Sequence, residues 1–138
     1  MRGFSLLELL VSMSAALILT TTSMPMVLTS SDTYKLRNSA REIAAQCQNA
    51  RFQAIADNVS YRLHLNGRSI ELQKFSAGSY TTTSSFSLSG AVNVDSAWGS
   101  DPVFSPHGTV TPVSITLSNH SGRQVTVSMS LLGLVTIL

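Results

Sequence analysis

Three hydrophobic patterns follow one another along the chain. From Phe4 to Leu28 it reads FSLLELLVSMSAALILTTTSMPMVL, with no formal charge between Glu8 and Asp32. A helix of roughly 20 residues crosses a hydrocarbon core of about 30 Å, so this run is long enough to span a membrane. Next, Leu36, Ala40, Ile43, Ala44, Cys47, Ala50, Ala54 and Ile55 recur at steps of three and four. Arg37, Arg41, Glu42, Gln48, Arg51 and Asp57 take the polar positions between them. That spacing predicts an amphipathic helix over 33–57 with one buried face. A proline inside a helix costs about 3 kcal/mol in water, and Ser30, Ser31 and Asp32 could cap a fresh helix start. A break is therefore expected between Pro25 and Asp32.

Past Asn58 the period switches to two. Val59–Leu65 and Ser69–Phe75 alternate as strands, and Asn66-Gly67 between them reads as a hairpin turn, because both residues tolerate positive φ. Residues Ala77–Ser85 read as a Ser/Thr/Gly loop, and Phe86–Val94 as a strand with Gly90 at a bulge. The stretch from Asp95 to Gly108 is punctuated by Gly99, Pro102 and Pro106 and reads as irregular. Val113–Leu117, Arg123–Met129 and Leu134–Leu138 complete the strands, joined by turns at residues 119–122 and 130–133. The predicted class is α+β, a long N-terminal helix with a small antiparallel sheet packed on its second half.

With 138 residues the chain holds one ordinary domain. It is 43% hydrophobic and 12% charged, about half the usual charged share, which excludes a disordered polyelectrolyte and argues against a plain cytosolic enzyme. A net charge of +2 does not by itself imply nucleic acid. The single cysteine, Cys47, excludes an internal disulfide and a Cys-rich zinc site, and it reads as a small buried hydrophobe. His64, His107 and His120 lack metal-ligand spacing, and no nucleophile elbow is present. No catalytic residue, metal or cofactor is expected. Asn58-Val59-Ser60 and Asn119-His120-Ser121 fit the glycosylation pattern, but Asn58 reads better as a helix terminator. Trp98 reads as packing over its loop rather than as an exposed contact.

Glu8 is the anomaly. It lies inside an apolar segment, where an ionisable side chain is costly and needs a partner. A cleaved secretory signal has a basic start and small residues before its cleavage site, which Arg2 and the stretch Ser12–Ala16 could supply. Neither that reading nor a simple anchor uses the acid. Snorkelling to the headgroups is the remaining bland account.

The segment Gly3-Phe4-Ser5-Leu6-Leu7-Glu8-Leu9 resembles the cleavage and methylation motif of type IV pilins and type II secretion pseudopilins. Pro25 stands where many pilins place a helix-distorting proline. Within that superfamily the chain resembles the GspH/FimT group of minor pilins and pseudopilins. Ala50-Arg51-Phe52-Gln53-Ala54-Ile55, Phe104-Ser105-Pro106-His107-Gly108 and the ending around Gly122-Arg123 and Gly133 carry that further resemblance.

The resemblance implies a pilin-like fold with a leader over 1–3, a transmembrane and polymerisation helix over 4–28, and a periplasmic domain over 29–138. The sheet part of that domain would cover about 59–138. A prepilin peptidase would cut between Gly3 and Phe4, and Phe4 would then be N-methylated. The leader Met1-Arg2-Gly3 is shorter and less basic than most of that superfamily. Glu8 would neutralise the new amine of Phe4 on a neighbouring subunit, and Pro25 would distort the helix. The implied protein is no enzyme. It is a single-pass subunit of the bacterial inner membrane that initiates or caps a pilus or pseudopilus. Its implied partners are other pilins, the peptidase and the membrane assembly platform.

Two alternatives remain: an unrelated single-span periplasmic anchor and a DNA-uptake minor pilin. In the DNA-binding relatives a basic Gly-Arg-x-Arg pattern lies near the C-terminus. The corresponding Gly133-Leu134-Val135-Thr136 has neither arginine, which leaves Arg62, Arg68, Lys74 and Arg123 as weak DNA contacts.

Overall fold

The computed structural model describes residues 5–138, except for the side chains of residues 19–29. The chain forms one helix, α1 (Leu6–Asp57), and eight strands: β1 (Tyr61–Asn66), β2 (Ser69–Ser76), β3 (Ser79–Ser87), β4 (Val92–Ser96), β5 (Val103–Phe104), β6 (Val113–Asn119), β7 (Gln124–Met129) and β8 (Val135–Ile137). The described residues up to Ser31 and residues 32–138 are separate compact units. The α+β class holds. The expected single sheet is instead two four-stranded antiparallel sheets, ordered β3-β2-β1-β5 and β4-β6-β7-β8.

In the second unit the helical pattern does what its spacing predicts. Leu36, Ala40, Ile43, Cys47, Ala50 and Ala54 are all buried, whereas Ile55 turns outward. Four of these six are Ala or Cys, so the helix can approach the sheets closely. One core joins them to Tyr61, Leu63, Ile70 and Leu72 of the first sheet and to Val92, Ile115, Leu117 and Val127 of the second. Burying each Leu, Ile or Val fully is worth about 1.5–3 kcal/mol. The helix stops at Asn58, whose φ is 55°. Asn58 N–H bonds to Ile55 O, and Val59 N–H reaches back to Ala54 O, the pairing of a Schellman cap.

The strands correct the sequence reading in four places. Asn66 pairs with Ser69, so the β1–β2 turn is Gly67-Arg68, with positive φ at Gly67 alone. That is the type II′ geometry, which needs glycine only at its first position. The expected loop over Ala77–Ser85 is mostly strand β3, reached through Ala77-Gly78, both at positive φ. The strand expected over Phe86–Val94 is divided between β3 and β4, with Gly90 in the connection rather than at a bulge. The stretch expected to be irregular contains β5, which pairs with β1 at Tyr61 and Arg62.

Among the described residues no helix is long and apolar enough to cross a membrane. The described side chains of the expected span cover residues 5–18 and include Ser5, Glu8, Ser12 and Ser14. At 1.5 Å per residue that stretch is about 21 Å, short of the hydrocarbon thickness. Gly3 and Phe4, the expected cleavage and methylation residues, lie outside the described residues. So do the surroundings of Pro25; the helical element itself runs through that position.

Candidate assembly surface

Among its described side chains the first unit is a helix with none buried. Ser5 O accepts from the N–H groups of Glu8 and Leu9 and opens the helix. Ser5-Leu6-Leu7-Glu8 also has the spacing of a capping box, which would compete with a filament role for Glu8. Yet among the described residues neither the Ser5 hydroxyl nor the Glu8 carboxylate meets a hydrogen-bond or ion-pair partner. Around Glu8 stand Leu6, Leu7, Leu9, Leu10, Val11 and Met13, all more than half exposed. Ser12 and Ser14 fold their hydroxyls back onto the carbonyls of Leu9 and Val11, at 3.0 and 2.8 Å. Their polarity is thereby spent inside the helix, and the outer surface is left to hydrocarbon. An exposed apolar surface with one carboxylate in its midst is suited to packing against other apolar helices.

The second unit is closed by short polar links. Lys74 Nζ and the Tyr61 hydroxyl both donate to Asp57 Oδ2 at 2.6 Å, tying the helix end to β1 and β2. The Lys74 hydrogen bond, then that of Tyr61, holds the Asp57 carboxyl below the usual carboxylate range. Glu71 is held low as well, by Asn66, Gln73 and Thr82. Cys47 is buried, and desolvation pushes its thiol up to about 12, so it is no nucleophile. Arg51 Nε–H donates to Gly108 O at 3.0 Å, and its stem lies against Gly133. These are the residues that carried the resemblance at Ala50–Ile55, Phe104–Gly108 and Gly133, and the fold brings them together.

The candidate DNA contacts are not brought together. Arg62 Nε–H donates to Gln73 Oε1 at 2.7 Å; its guanidinium sits 3.7 Å from the Asp101 carboxylate and 4.1 Å from the Tyr80 ring centroid. Arg68 donates to the carbonyls of Ser89 and Val92 at the hairpin end. Lys74 pairs with Asp57 on the face opposite Arg62, since Arg62 faces Gln73 while Lys74 faces Tyr61 across the ladder. Arg123 belongs to the β6–β7 turn of the other sheet. The fold has engaged three of the four internally.

The histidines are scattered too. His64 Nδ1 lies 2.8 Å from Asp101 Oδ2, and His107 and His120 sit in exposed loops. Among the described residues no cluster of three His, Cys, Asp or Glu could hold a metal. Trp98 is buried, as its packing reading requires. Asn119 is buried, and its Oδ1 accepts from the N–H groups of Ser121 and Arg123. It closes the β6–β7 turn and is not open to glycosylation.

The model of a family described as "Type II transport protein GspH" matches residues 39–133. The minor pseudopilin EpsH from the type 2 secretion system of Vibrio cholerae superposes with a TM-score of 0.65 at 15% identity, covering 75% of this chain and 96% of that one. The type IV minor pilin FimU of Pseudomonas aeruginosa superposes with a TM-score of 0.63 at 18% identity, covering 77% and 90%. At such identities the likeness shows the fold. No curated protein sequence matches.

Proposed function

The chain belongs to the GspH family of type II transport proteins, and from that premise we propose that it is a minor pilin or pseudopilin, a structural subunit that polymerises through its first helix to initiate or cap a filament. One observation carries the reading: Glu8 stands without a counter-charge among the described residues, ringed by exposed Leu, Val and Met side chains. In a bundle of such helices a lone carboxylate would cost several kcal/mol or so, and a cation from a neighbour removes that cost. Cleavage after Gly3 would supply it, as the amine of Phe4 at the start of an adjacent helix. Register then comes from the charge pair, and adhesion comes from the apolar surface.

Before assembly, residues 4–28 would hold the subunit in the bacterial inner membrane, with residues 29–138 in the periplasm. The composition of that run and its freedom from charge between Glu8 and Asp32 support this. Prepilin peptidase, a membrane assembly platform and other pilins are the partners this life history requires. The test is Glu8→Ala, expressed in cells that assemble the filament. The variant should stay in the membrane fraction and disappear from sheared filaments. Equal incorporation of variant and parent would overturn the reading.

A further inference from the structure

Helix α1 and strand β8 leave a trough between them. Two grooves of about 470 and 500 Å³ follow one another along it. Arg37 and Arg41 share the first with Ile137 and Leu138 and with Gln124 and Val125 at the start of β7; Arg51 and Phe52 share the second with Leu132 and Leu134. One wall is thus basic, and strand β8 forms the other. Leu132, Leu134 and Leu138 are each about 70% exposed or more (73%, 69% and 76%). No Asp or Glu lines either groove. Among the described residues Arg37 and Arg41 enter no ion pair, although one helical turn sets these like charges side by side, a mildly repulsive arrangement.

The backbone of β8 sharpens the picture. β8 ends its sheet. Thr126 and Leu138 exchange both hydrogen bonds at 2.9 Å, and Ser130 N–H bonds to Leu134 O. Antiparallel pairs alternate between bonded and non-bonded, so the N–H and C=O groups of Val135 and Ile137 turn away from β7 toward the open edge. Ile137 pairs with buried Val127, which places Ile137 and Val135 on the core-side face, level with the helix. Leu134 and Leu138 occupy the outer face.

We propose that this trough docks an extended acidic segment of another protein, which adds to β8 as a strand. Alternate side chains of such a strand point to opposite faces. Carboxylates on its core-side face meet Arg37 and Arg41, and apolar residues on its other face lie beside Leu134 and Leu138. The trough is part of the second unit and stands apart from the helix-mediated assembly proposed above, so either can fail without the other. A nucleic acid would satisfy the arginines but leave the strand edge and the leucines unused.

The experiment takes the full chain in nanodiscs and measures fluorescence anisotropy with a labelled, end-blocked octapeptide alternating Glu and Val. Its Gln/Val counterpart and a short oligodeoxythymidine are the comparison probes. The Glu/Val peptide should bind, and the Gln/Val peptide should bind about tenfold or more weakly, as should the Glu/Val peptide to the Arg37→Glu/Arg41→Glu variant. Amide exchange at Val135 and Ile137 should slow when the Glu/Val peptide is present, a readout that needs no variant. Absence of peptide binding, equal binding of the Gln/Val peptide, or unchanged exchange at β8 would overturn the proposal. So would an oligonucleotide that binds more tightly than the peptide through the same two arginines.

Discussion

Arg51 donates its Nε–H to the carbonyl of Gly108 across 3.0 Å, fastening helix α1 to the turn that follows β5. The same side chain lies so close over Gly133 that a Cβ there would come within 2.7 Å of Arg51 Cδ. One arginine therefore holds two glycine turns, at φ 81° for Gly108 and 74° for Gly133.

Arg51→Ala should cost about 1–2 kcal/mol through the lost charge-assisted bond and packing. Gly133→Ala should cost about as much in left-handed backbone strain, and it also expels the Arg51 stem from its place. The two effects share one contact, so the double variant should be less destabilised than the sum by roughly 1 kcal/mol. Denaturant unfolding of the four proteins checks this; strict additivity would show that the contact carries no energy.

The acid limb of stability should depend on Asp57. Its carboxyl, and that of Glu71, titrate below their ordinary values in the folded chain. Such groups contribute stability above the unfolded carboxylate values, about 3.9–4.3, and lose it as pH falls through the folded ones. Lys74 is shifted up by its hydrogen bond to Asp57, so its contribution is full below about 10.4 and is lost as pH rises through the folded value. All three groups are at the surface, so the effect is modest. Melting temperature against pH should fall below about pH 4 in the parent, and Asp57→Asn should flatten both limbs. Identical limbs in parent and variant would refute the role of the pair.

Burial that pushes the Cys47 thiol up to about 12 leaves almost no thiolate at neutral pH. Iodoacetamide should label Cys47 at the rate of unfolding and label denatured chain quickly. Labelling of native protein as fast as denatured protein would place the thiol at the surface, against its position in the core.

Where burial and periodicity coincide, the fold was legible in the sequence. The helical face from Leu36 to Ala54 and the Asn58 stop follow from spacing and from the left-handed tolerance of asparagine. Strand β3 was not legible. Its Tyr80-Thr81-Thr82-Thr83-Ser84-Ser85 run is polar throughout and exposed but for Tyr80. No alternation marks a strand whose core contact is confined to Phe86 near its end. The turn before it puts Ala77 at positive φ, which no residue preference announces. Nor did spacing separate two sheets from one, since pairing partners such as Tyr61 and Phe104 lie far apart in sequence. At the candidate surface, Glu8 was conspicuous as a charge among apolar residues. The arginines of the trough were not, because Arg37 and Arg41 look like any solvated helix face until β8 is folded beside them.

Whether an amine is created to pair with the Glu8 carboxylate is measured most directly by the intact mass and N-terminal sequence of protein from cells with an active prepilin peptidase. The mature chain should begin at Phe4 and carry one N-methyl group. A chain that still begins at Met1, or one cut after Ala15 or Ala16, would contradict it.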